Sequence, residues 1–232
     1  MKRWEFVQGS EHTVQDGHVV RRIRRIIDGV VGGYVEHESN LEQDSTAWVN
    51  YNAYVFGDAR VYDNAYVGGN ARISDSAQVF ENALVYDNAR VNGRARVYGH
   101  ARVYDCAVVR DEARVYGGSE IYGAARVYDN AWVSGSTYLY GTACVGGNAL
   151  IYDRDLVCWF SGVGSVSGTL TVYACADGTL GATRGCFCGT TEEFLAASAR
   201  WHDARIKREY ELLIEVATSR ISYYGKLSGE TA

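Results

Sequence analysis

From Val49 onward an aliphatic residue returns at every sixth position without a miss, through Val55, Val61, Val67 and Ile73 and on to Val145, Ile151 and Val157. Two positions before each stands a small residue, alanine from Ala47 to Ala149 apart from Ser119 and Thr137, with Asp155 closing the series. In a hexad such as Ala-Arg-Val-Tyr-Asp-Asn the small and aliphatic residues alternate with polar or aromatic ones. That period of two places alanine and valine on one face of a strand and arginine and tyrosine on the other. The pair that follows, as in Asp63-Asn64, Gly69-Asn70, Asp87-Asn88 and Gly141-Thr142, is turn chemistry, because Gly, Asn and Asp tolerate positive φ. Each hexad therefore predicts a short strand and a corner.

A strand that turns after every hexad cannot pair with its neighbour as a hairpin, since the inward set would need a reversed register. Three hexads closing one triangular coil solve the problem: residue i then lies over residue i+18 and strands pair in parallel with the next coil. Six such coils at about 4.8 Å each make a prism about 29 Å tall. A unit this short cannot bury its own apolar face and must stack on its neighbours. The pattern resembles the hexapeptide-repeat left-handed β-helix, and that resemblance alone implies the handedness. The expected fold is mainly β: a left-handed parallel β-helix with a small N-terminal β cap and a C-terminal α+β cap.

Three units follow. Residues 1–46 lie outside the repeat and contain the basic apolar segment from His18 to Ile27, with Arg21, Arg22, Arg24 and Arg25. They are expected to cap the open ladder, which would otherwise invite aggregation. Residues 47–158 form the helix. In 159–232 the period frays into a few irregular strands, with Thr183 to Phe187 read as one of them. Thr190 and Glu193 then form a capping box that opens a helix through Ala199. Asp203 caps a second helix, on which Ile206, Tyr210, Leu213, Ile214, Ala217 and Ile221 recur at helical spacing.

Composition refines this picture. The chain has no proline, as expected of stacked ladders in which every residue must donate. Its net charge of −5 argues against a general nucleic-acid binder. Six cysteines are scattered, and neither a signal-like apolar stretch nor a membrane-length run is present. A cytoplasmic protein with reduced thiols, without membrane contact, is expected.

Function would be written on the outward positions, which stacking by eighteen sorts into rows. Tyr86, Tyr104, Tyr122 and Tyr140 form one row. Tyr62, Phe80, Tyr98 and Tyr116 form a second, beside the row that holds Arg60, Arg96 and Arg114. Such rows stabilise the sheet by cross-strand packing. Tyr and Arg are also the residues enriched in interfaces. The candidate binding residues are accordingly Tyr98, Tyr116, Arg96, Arg114, Tyr86, Tyr104, Tyr122 and Tyr140.

Many hexapeptide-repeat proteins are acyl- or acetyltransferases, and the resemblance implies a histidine base at a subunit junction, commonly with a loop that breaks the coil. Here the repeat holds one histidine, His100, at a corner, and no loop interrupts it. The γ-type carbonic anhydrases share the coil but need three zinc histidines. Cys186-Phe-Cys188 lacks the Cys-x-x-Cys spacing of zinc or thioredoxin-like sites. Read as alternating strand residues, its two thiols share a face and, with His202, mark a weak candidate for metal; buried thiols acting as small apolar groups are the simpler expectation. Neither a catalytic set nor a cofactor or metal site is expected.

The chain as a whole resembles a family of bacteriophage and prophage proteins built from the same hexad. The resemblance rests on Gly32-Gly33-Tyr34-Val35-Glu36, Asn40-Leu41 and Ala47-Trp48-Val49, on the hexads, and on Gly185-Cys186-Phe187, Gly189-Thr190 and Glu193-Phe194. It implies a viral origin and a setting in the host cytosol, and carries over no catalytic residues. The expected function is a non-catalytic binding protein that blocks or sequesters a host component, such as an antiviral defence protein or its nucleotide signal. Alternatives are an acyltransferase with His100 as base and a structural virion component. Self-association is expected, as a homotrimer or else a homodimer, with a host protein or a small anionic nucleotide-like ligand as partner.

Overall fold

The computed structural model describes residues 2–14 and 17–229. At the N-terminus β1 (Trp4–Phe6) and β2 (His12–Thr13) both pair antiparallel with β3 (Val19–Arg25), which pairs antiparallel with β4 (Val31–Val35). β4 then changes the sense of the sheet, pairing parallel with the first repeat strand on its side, Tyr34 opposite Tyr54 and Val35 opposite Val55. Trp4, Val20, Ile23 and Val35 are buried beneath this meander. Arginines 21 to 25 point largely outward but are engaged: Arg21 lies over Phe6, Arg22 over Tyr34, and Arg24 and Arg25 pair with Glu5 and Asp28.

Eighteen two-residue strands follow, β5 (Trp48–Val49) to β22 (Leu150–Ile151), one per hexad. They stack i over i+18 into three parallel sheets, so the coil is three-sided. The aliphatic residues from Val49 to Ile151 are at most 1% exposed and the alanine row is closed over as well. Ser119 and Thr137, which replace alanine, are also fully buried. Their hydroxyls donate to the carbonyls of Tyr116 (2.7 Å) and Ser134 (2.8 Å), three residues back, so neither polar atom is left without a partner. The parallel ladder reaches further upstream than the unbroken period. Leu41, six residues after Val35, bridges Val61, and two extra residues before Val49 hide this earlier hexad. Buried Asn40 holds that join, donating to the carbonyls of Gly57 and Ala59 at 2.8 Å each.

At the corners the turn residues do more than turn. Asp63, Asp75, Glu81, Asp87, Asp105, Asp111 and Asp129 all have positive φ. Each carboxylate accepts the backbone N–H of the residue eighteen further on, as in Asp105 to Gly123 (3.0 Å), Asp75 to Gly93 (2.8 Å) and Asp129 to Gly147 (2.9 Å). Where a corner carries glycine instead, the coils close up. A Cβ on Gly69 would stand 2.6 Å from the amide nitrogen of Asp87.

The last coil is closed by β23 (Val157–Val163), β24 (Gly168–Ala174), β25 (Leu180–Arg184) and β26 (Phe187–Thr190), an antiparallel meander more regular than the sequence pattern shows. It meets the coil edge through side chains. Thr171 Oγ1 accepts the N–H of Cys144 (3.1 Å) and Thr183 Oγ1 donates to the Cys144 carbonyl (2.5 Å). The segment expected as one strand from Thr183 to Phe187 is instead the end of β25, a turn at Gly185-Cys186 and the start of β26. Cys186 therefore sits in that turn and Cys188 in β26, and the expected alternation of two thiols on one face does not occur. Helix α1 (Thr191–Trp201) opens with the Thr190–Glu193 capping box, and α2 (Ala204–Gly229) with Asp203 Oδ1 accepting the N–H of Ile206 at 2.9 Å. Phe194, Ile206, Tyr210, Ile214, Ala217 and Ile221 are buried against the meander, with Leu213 half-buried beside them.

Candidate functional site: the arginine and aromatic faces

Each side of the prism presents two outward rows. The first face carries Tyr54, Arg72, Arg90, Val108, Arg126 and Cys144; the second Arg60, Gln78, Arg96, Arg114, Trp132 and Leu150; the third Trp48, Tyr66, Leu84, Arg102, Glu120 and Tyr138. The predicted binding residues divide between two of these. Tyr98, Tyr116, Arg96 and Arg114 lie together on the second face, whereas Tyr86, Tyr104, Tyr122 and Tyr140 line the third.

On both faces the rings form ladders. Tyr62, Phe80, Tyr98 and Tyr116 stack at centroid separations of 4.8, 4.8 and 4.9 Å with planes within 4° of parallel. Tyr86, Tyr104 and Tyr122 stack at 5.0 Å, and Tyr140 follows at 5.3 Å before Trp159 meets it edge-on. The coil rise sets this spacing, since each ring belongs to one rung. Inside a ladder each ring face is covered by the next ring, so an inner rung offers solvent only its edge and hydroxyl. Burial raises the hydroxyl pKa of Tyr62, Tyr86, Tyr98 and Tyr122 above the usual value. It does the same for Tyr104, where a 3.0 Å hydrogen bond donated to Glu120 adds to it.

The arginines separate the faces. On the third, Arg102 is drawn to Glu120 (3.5 Å). On the second, Arg96 and Arg114 are register neighbours and make no ion pair among the described residues. Arg114 lies 4.5 Å over the ring of Trp132. Four aromatic residues in the last coils stand well exposed, namely Trp132 (39%), Tyr138 (45%), Tyr140 (46%) and Tyr152 (49%). Of these only Tyr140 is among the predicted residues. The available signal was the end of the ladder: Ser134 follows Tyr116 in the row, and Trp132 replaces arginine beside it.

His100 is exposed at its corner, and its ring makes no hydrogen bond, ion pair or ring contact among the described residues. Among the described residues no group of three or more His, Cys, Asp or Glu side chains could hold a metal ion. Cys188 Sγ lies 3.7 Å from the hydroxyl of buried Tyr173, with Cys144 and Cys175 in the same cap-to-coil seam. Burial pushes the thiols of Cys144 and Cys175 up, away from the thiolate that nucleophilic chemistry needs. A concavity of about 820 Å³ lies at the opposite end, between the β3–β4 turn and residues 44–48, and none of the predicted site residues lines it. Among the described residues no helix is long and apolar enough to cross a membrane.

Two stretches of the coil, residues 95–111 and 125–141, match the family described as the YdcK beta solenoid repeat. These stretches contain Arg96, Tyr98 and Trp132, and the three-sided parallel stack is the β-solenoid architecture that this similarity implies. A comparison with curated proteins gives no match.

Proposed function

We propose that this protein is a non-catalytic binding scaffold whose second face grips a partner protein and thereby blocks or sequesters it. The observation that carries this is the pairing of Arg96 and Arg114, unneutralised register neighbours, with a rigid aromatic ladder and the exposed Trp132. Arg, Tyr and Trp are the side chains that dominate binding hot spots, and a ladder locked by stacking loses little entropy on contact. The resemblance to phage repeat proteins points to a host component as the target. The exposed aromatics of the last coils, Tyr138, Tyr140 and Tyr152, give a second copy a surface to meet, and a homotrimer, or else a homodimer, is the assembly we infer.

The test compares wild type with the Arg96→Glu/Arg114→Glu double variant and with Trp132→Ala. Native mass spectrometry gives the subunit number and any retained ligand; affinity capture from a bacterial lysate gives partners. A specific partner retained by wild type and lost by the double variant supports the proposal. If every captured species survives both substitutions, the second face is not the binding surface.

A further inference from the structure

The first face carries charge that partner binding by the second does not use. One register row runs from Tyr34 through Tyr54, Arg72, Arg90 and Val108 to Arg126, rung to rung. Arg72 and Arg90 are direct neighbours, like charges on backbones about 4.8 Å apart that oppose each other. Where Val108 interrupts the row, Arg110 in the adjacent outward position pairs with Asp111 at 2.8 Å, so that rung adds no free cation. The ion pairs made by outward arginines of the coil involve Arg94, Arg102 and Arg110, so Arg72, Arg90 and Arg126 have none among the described residues. From Arg72 to Tyr128 the two outward rows of this face hold no aspartate or glutamate. Arg72, Arg90 and Arg126 thus stand along three rungs, about 14 Å, with no carboxylate in the two outward rows to neutralise them.

The chemistry of the partner follows from what surrounds the row. Arg72 lies over the ring of Tyr54 (5.4 Å), which stacks on Tyr34 (5.0 Å), which in turn lies under Arg22 (4.4 Å). Arg110 lies over Tyr128 at 4.8 Å. These ring faces are occupied, so the surface offers no platform for stacking bases, the usual means of holding a single nucleic-acid strand. The overall charge of −5 further opposes a long polyanion. A short acidic polypeptide fits better. An extended strand shows side chains on one side about every 7 Å, a spacing that flexible arginine stems can meet, and the guanidinium fork suits a carboxylate. We propose that the first face seats an extended acidic polypeptide segment of a partner, with Arg72, Arg90 and Arg126 each meeting a carboxylate side chain.

The probe is fluorescein-labelled deca-glutamate, followed by fluorescence anisotropy at low salt. Wild type should bind it, and binding should fade as ionic strength approaches 1 M, where the screening length is about 3 Å. Arg72→Ala/Arg90→Ala should weaken it about tenfold or more, the effect of losing charge-assisted hydrogen bonds. Arg96→Ala/Arg114→Ala, on the second face, should weaken it distinctly less, which separates this proposal from the one above. The reversal Arg72→Glu/Arg90→Glu/Arg126→Glu should lose deca-glutamate and gain deca-lysine, a result that a misfolded variant would not give. Absence of low-salt binding, equal loss from both alanine variants, or tighter binding of an oligothymidylate abolished by Arg72→Ala/Arg90→Ala would each overturn it.

Discussion

Replacing Asp105 separates the two jobs a corner carboxylate performs. Asp105 holds φ at +56°, and its Oδ2 accepts the N–H of Gly123 at 3.0 Å. A hydrogen bond to a charged group contributes about 1.5–3 kcal/mol, and the exposure of this corner favours the lower end, about 1.5 kcal/mol. Asp105→Ala loses that bond and still has to hold a left-handed backbone. Asp105→Gly loses the same bond but releases the left-handed cost, about 1–2 kcal/mol for a residue with a Cβ. The alanine variant should therefore be about 1.5 kcal/mol less stable, a fall in Tm of roughly 3–6 °C at about 2–4 °C per kcal/mol for a chain of this size. The glycine variant should stay within about 2 °C of wild type, because the two effects of about equal size offset one another. Thermal unfolding followed by circular dichroism measures both, and amide exchange at Gly123 should speed up in both. Equal Tm for the alanine and glycine variants would show that left-handed strain plays no part. Unchanged exchange at Gly123 in the alanine variant would show that the carboxylate does not hold the next coil.

Other outcomes can be checked alongside. Ala95→Val adds two methyl groups where the prism is fully closed, and overpacking of this kind costs about 1–3 kcal/mol, visible as a lowered unfolding midpoint in urea. The stacked tyrosines have hydroxyl pKa values raised by folding, so stability is complete below about pH 10 and falls as pH rises past it, because the unfolded chain ionises first. Tyrosinate absorbance should accordingly appear at higher pH in the folded protein than in urea, and Tyr104→Phe should remove part of that difference. Burial works against ionised Glu36, but the Gly57 N–H at 2.7 Å and His18 at 2.9 Å outweigh it and hold its pKa below the usual carboxylate value. Its contribution is present above about pH 4 and lost as pH falls through the lowered value. The protection of the Gly57 amide relative to its intrinsic exchange rate should therefore fall in acid in wild type but stay level in Glu36→Gln.

The solenoid was legible because its period is carried by volume and polarity, the terms in which a closed prism selects residues. The stacking of i on i+18 and the sorting of Tyr98 and Tyr116 from Tyr86 and Tyr104 both follow from that period alone. Two things did not. Val35 and Leu41 keep the hexad spacing, but the extra residues before Val49 shift the phase, so the first rungs look like a separate cap. The corner aspartates appear only as turn formers in a one-dimensional pattern, since their hydrogen-bond partners lie a full coil away. In the C-terminal meander no period exists to read, and the turn at Gly185-Cys186 falls inside what alternation suggests is a strand. For the candidate site, composition located the arginines and aromatics. Which arginines lack a carboxylate, and which rings are covered, depends on neighbours above and below.

The corner carboxylates also give the coil a direction. In each of these bonds the acceptor belongs to the earlier coil and the donor to the later one. Cutting the stack anywhere therefore leaves two unlike ends. The end whose later coils are removed keeps carboxylates, which water solvates readily; the end whose earlier coils are removed keeps backbone amides that have lost an ionic acceptor. A lineage that gains or sheds coils by duplication and deletion would thus find the C-terminal side of the stack the easier place to change length, while its N-terminal rungs act as the fixed template on which each added coil is laid.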